Sequence, residues 1–149
     1  MYPALLLTHN ALRWLILVVG VLAIVKAGQG LTGRRPYAAA RRLGVIFMAL
    51  LHVQLLTGLV LFVISPLVRT AMTDMQATMA DGAVRFFIAE HPTLMVIAVA
   101  VMTIGSIVAK NAPDDVRRHR KLLVFTTVTL LLLLAGIPWQ RALVPGLGG

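Results

Sequence analysis

The sequence predicts an all-α integral membrane protein: a four-helix bundle with both termini on the outer face. Three observations predict it. Hydrophobic residues make up 59% of the 149-residue chain and charged residues only 13%, too little polar surface to cover a particle in water. The apolar residues collect into four stretches, each near the roughly 20 residues that cross a hydrocarbon core. Lysine and arginine collect into two short clusters that flank those stretches, which is the positive-inside pattern. The mean hydropathy of +0.90 points to lipid as the solvent and excludes a soluble enzyme.

The first span, about residues 4–28, starts early because Pro3 suits a first helical turn and Ala4–Thr8 is apolar. Met1–Thr8 lacks a basic leader, and no small-residue cleavage site follows the first apolar stretch, so this helix is expected to stay. Pro36 opens the second span, about 43–65, just before Tyr37–Arg42. The long connection from Ser65 to Asp81 carries Met72, Met75 and Met79 at near-helical spacing, which suits a short amphipathic helix on the outer surface or a methionine metal relay. The third span, about 84–110, carries Arg85, Glu90 and His91 at its start. Pro113-Asp114-Asp115 places acids in the first turn of the fourth, about 120–139, where the helix dipole favours them. The whole chain, 1–149, reads as one transmembrane domain without internal repeats.

Orientation follows from the basic residues. Lys26, Arg34, Arg35, Arg41, Arg42, Lys110, Arg117, Arg118, Arg120 and Lys121 fall on one side, and Arg13, Arg69, Arg85 and Arg141 on the other. The first side is therefore expected in the cytoplasm. Trp14 and Trp139 fit an aromatic belt at the opposite interface. The net charge of +9 belongs to these anchors and not to a nucleic-acid surface, which would need aromatic stacking residues among the cations. With no cysteine, thiolate metal sites, iron–sulfur clusters and thioether-linked haem are excluded.

The four histidines carry the chemistry. Ionisable groups at membrane depth are costly and mark functional positions. By helical rise, His9 and His91 lie about 24 and 27 Å above the inner edge, level with each other. His52 lies about 13 Å up, near the middle of the bilayer, and His119 about 4 Å below the edge. A haem between His9 and His91 fits this geometry, because two axial imidazoles approach the iron from opposite faces at one height. Arg13, four residues after His9, shares its helix face and suits a haem propionate or Glu90; Arg85 suits a propionate from the third helix. Met95, one turn beyond His91, packs on a porphyrin or fills core.

Alternatives stand beside this one. Glu90 with His91 and His9 offers nitrogen and oxygen ligands for zinc, copper or iron, although adjacent helical residues point about 100° apart. An Arg13–Glu90 ion pair would lock the first helix to the third structurally. His52, with Met48 one turn before it and Gln54 and Thr57 nearby, suits a second haem, a quinone hydrogen bond or a bond between helices. His119, inside Arg117-Arg118-His119-Arg120-Lys121, reads as part of a solvated basic cluster. Gly20, Gly44, Gly58, Ala98 and Gly105 are expected at close helix contacts. No nucleophile–base constellation or acid pair lies at membrane depth, and no broken helix pair suggests a transporter.

His9-Asn10-Ala11-Leu12-Arg13-Trp14, His52-Val53-Gln54-Leu55-Leu56-Thr57-Gly58, Ser65-Pro66, Arg85-Phe86, Glu90-His91, Lys110, His119 and Ile137-Pro138-Trp139, in this order, resemble short bacterial four-helix membrane proteins labelled cytochrome b. The resemblance runs from His9 to Trp139. It implies a non-covalent b-type haem protein of the bacterial cytoplasmic membrane, with His9, His52, His91 and His119 as candidate axial ligands. The expected partners are lipid, quinol and a neighbouring redox subunit. A second expectation is an accessory subunit of a larger respiratory or photosynthetic complex, its polar residues serving helix packing.

Overall fold

A computed structural model describes residues 1–33 and 35–139; Arg34 and Arg141, both counted in the charge asymmetry, lie outside the described residues. Four helices long and apolar enough to cross a membrane run 2–33, 38–64, 82–110 and 115–136. They pack as a ring in which each neighbours the next in sequence and the last returns to the first. The first and third therefore face each other across a diagonal.

Helix α1 (Tyr2–Gly33) leads into α2 (Ala38–Ile64) through a tight connection. The Tyr37 N–H, at the start of α2, donates to Asp115 Oδ2 at 3.1 Å, so the two basic connections are tied together at one end of the bundle. This is called the basic end below, and the other the Met1 end.

The connection after α2 holds two short helices, where the sequence suggested one, and a third capped turn opens the 82–110 span. Each follows a residue whose side chain accepts from the new helix's free N–H groups. Ser65 caps α3 (Pro66–Ala71), Asp74 caps α4 (Met75–Ala80) and Asp81 caps α5 (Gly82–Arg85). Thr78 Oγ1 donates to Ala71 O at 2.8 Å and draws α4 onto α3.

A single π-turn, Phe86–Glu90, joins α5 to α6 (His91–Lys110). Pro92 has no N–H to give to the carbonyl four residues back, so the regular ladder is interrupted where the wider turn occurs. α7 (Asp115–Gly136) begins at the Asp114 cap, which accepts from Arg117 N at 2.8 Å, and ends as Ile137 turns extended before Pro138. The fourth span thus stops short of the expected residue 139.

Packing is unequal along the bundle. From Ile16, Leu51, Val99 and Leu133 toward the basic end the interior is filled, with Phe47, Met102, Leu122 and Thr126 almost fully enclosed. Small residues permit this approach. A side chain at Gly20 would meet Phe47 at 2.8 Å, one at Gly44 would meet Leu122 at 2.7 Å, and Gly105 lies directly against Phe125. Toward the Met1 end the helices diverge around a cavity.

Candidate cofactor cavity

The cavity holds about 480 Å³, within the roughly 300–1,000 Å³ of small-molecule sites. Its walls are mostly apolar, including Leu6, Leu17, Leu55, Phe62, Phe87 and Met95, and its polar side chains are His9, Asn10, Arg13, Gln54 and His91, with Tyr2 and Ser65.

His9 on α1 and His91 on α6 face each other across the diagonal, with ring centres 6.5 Å apart and planes at 73°. Each ring is fixed by a flanking helix. His91 Nδ1 lies 2.7 Å from Gly136 O of α7; a carbonyl only accepts, so Nδ1 carries the proton. His9 Nδ1 lies 3.3 Å from Thr57 Oγ1 of α2. The Thr57 hydroxyl already donates to Gln54 O at 2.9 Å, so toward His9 it accepts, and again Nδ1 holds the proton. In both neutral rings the Nε2 lone pair is then left for a ligand. Gln54 Nε2 donates to His9 O at 2.9 Å and clamps this stretch of α1, while its Oε1 is buried without a hydrogen-bond partner. Gly58 makes room for His9, whose Cε1 would lie 3.2 Å from any Cβ there.

Arg13 lines the cavity one turn along from His9, its guanidinium carbon 5.5 Å from the centre of the Trp14 ring. No Arg13–Glu90 pair, one of the alternatives the sequence offers, is found among the described residues. Glu90 Oε1 instead accepts from Arg85 Nε at 2.8 Å, both side chains being 44% exposed. The cause is the π-turn, in which residues five apart stack on one face. Arg85 also donates to Met79 O and is absent from the cavity wall.

The other two histidines belong elsewhere. His52 is exposed on the outside of the bundle, with Nδ1 2.8 Å from Met48 O. Gln54 and Thr57, its neighbours in sequence, line or brace the cavity instead, because residues two apart on a helix point about 200° apart. His119 corrects the reading as a solvated cluster: it is 1% exposed. Its ring sits directly on Gly30, its Nε2 is 3.0 Å from Arg35 O, and Tyr37 meets it edge-on with centres 5.4 Å apart. Arg117 and Arg120 beside it in sequence are exposed, while His119 packs against α1.

Sequence reasoning set Thr57 and Gln54 beside His52 and not His9, and gave Asn10 and the Gly136 carbonyl no role. The first two were detectable, since Gln54 and Thr57 are three apart and share the helix face opposite His52. The carbonyl has no sequence signal.

Two imidazoles that share a metal at about 2 Å per bond have ring centres roughly 6 Å apart, close to the spacing of His9 and His91. Among the described residues no three of His, Cys, Asp and Glu converge as a metal-binding group. A lone zinc or copper ion would need further protein ligands; a haem brings its own equatorial nitrogens and requires only the axial pair. The donor set, the N–H tethers behind both rings and the apolar walls therefore fit a haem.

Comparison with protein-family models, with characterised proteins and with solved structures yields no match to this chain.

Proposed function

We propose that the chain is a small b-type cytochrome of the bacterial cytoplasmic membrane, in which His9 and His91 would hold the haem and the basic end lies in the cytoplasm. The observation that carries this reading is the facing of two rings at 6.5 Å with both Nδ1 protons tied off. When bound, the haem would supply one-electron chemistry, exchanging electrons with a quinol or a neighbouring redox subunit.

The residues have separate tasks. Thr57 and the Gly136 carbonyl hold the Nδ1 protons, which keeps each ring oriented and its Nε2 more basic. Gln54 fixes the backbone beneath His9. Leu6, Leu17, Leu55, Phe62 and Phe87 exclude water, which raises the energetic weight of any charge inside. Arg13, at the cavity wall, would supply a guanidinium for a haem propionate. Gly58 and the small-residue contacts further down keep the helices placed so that the two rings remain level.

The test is expression under haem-replete conditions followed by purification and absorption spectroscopy. A Soret band is expected in the parent chain and in H119F, with loss in H9A and in H91A. Colourless parent protein, or undiminished haem in both alanine variants, would overturn the reading. If colourless protein instead co-purifies in fixed ratio with a larger redox complex, the accessory-subunit alternative replaces it.

A further inference from the structure

His52 lies on α2 about 20 Å from either helix end, exposed on the outside of the bundle and not in the wall of the cavity. An imidazole facing hydrocarbon at that depth is costly unless it has a polar partner. Among the described residues, the side chain that meets its Nε2 is Thr103 of α6, whose Oγ1 is 3.5 Å away. The protons on this pair are already committed. His52 Nδ1 must donate to Met48 O at 2.8 Å, and Thr103 Oγ1 donates to Val99 O at 2.7 Å. Two lone pairs are thus left side by side at the α2–α6 seam, with no proton between them.

We infer that this pair is a docking point for the hydroxyl of a lipid-soluble aromatic diol, a quinol. A single O–H directed into the seam satisfies both acceptors, and an oxidised quinone, having only acceptors, does not. Depth selects the class as well. Headgroup hydroxyls remain near the ends of the helices, whereas a quinol on a hydrocarbon tail reaches the middle. The surroundings suit a flat ring: Ala49 and Ala100, three residues before His52 and Thr103, are small and exposed, and Val53, Leu56 and Ile104 present exposed apolar surface. The site stands apart from the haem reading, so it can be tested with or without cofactor.

The experiment uses the full chain labelled with 15N-histidine in lipid nanodiscs, with the His52 signals assigned by their absence in H52F. Three probes are compared: a short-tailed benzoquinol, its quinone, and its O,O-dimethyl ether. The expected result is a saturable shift of His52 Nε2 with the quinol alone, diminished at least tenfold in apparent affinity in T103V, while H52F retains parent helicity and cofactor content. The inference is overturned if His52 carries protons on both nitrogens without ligand, if the quinol leaves Nε2 unmoved, or if all three probes act alike. A shift that follows the protein-to-lipid ratio without any probe also overturns it, in favour of a second copy of the chain at this seam.

Discussion

Thr57 accepts from His9 because its own proton is given to Gln54 O, and that order of donation sets the tautomer of the ring facing the cavity. T57S keeps the hydroxyl and is expected to behave as the parent. T57V removes the acceptor and is expected to weaken haem retention about 10- to 100-fold, measured by haem transfer to a high-affinity acceptor protein; equal retention in both variants would mean that Thr57 does not hold the ring. Glu90 carries the opposite expectation. Its bond to Arg85 is half-exposed, so E90Q should cost less than about 1 kcal/mol in thermal unfolding and leave haem content unchanged. The level placement of His9 and His91 was legible in the sequence, because helical rise alone sets it. The burial of His119 was not: Gly30 admits it, and nothing in Arg117–Lys121 reports where α1 crosses.

At the scale of the element, small residues decide where helices close and where they part. Gly30 has no room for a side chain beside His119, so G30A should destabilise the bundle by about 1–3 kcal/mol, read as a lowered unfolding midpoint in detergent. No change would place His119 elsewhere. The close contacts at Gly20, Gly44 and Gly105 were legible in advance, as were the proline and acid signals that start α2 and α7. The connection from Ser65 to Asp81 was under-read, because methionine spacing suggested one helix and the caps Ser65 and Asp74 make two, while Asp81 caps the start of the 82–110 span. The π-turn was also hidden, since Pro92 at a helix start ordinarily marks a first turn and here sits just past a continuous one. That turn transferred Glu90 from Arg13 to Arg85.

At the scale of the molecule, a filled half and an open half follow from the distribution of side-chain size along four helices. Apolar composition fixes the four spans; the diagonal that brings α1 to face α6 depends on ring order, which composition does not encode. The absence of native cysteine makes sidedness directly testable. In intact cells, a membrane-impermeant thiol reagent should label T73C and spare N111C until the membrane is opened, and the reverse pattern would place the basic end outside. The central claim concerns the two rings, whose planes cross at 73°. Electron paramagnetic resonance of the oxidised, haem-loaded protein tests it most directly: two axial imidazoles nearly perpendicular to each other predict a highly anisotropic low-spin ferric signal, whereas a high-spin signal would contradict the His9–His91 pair.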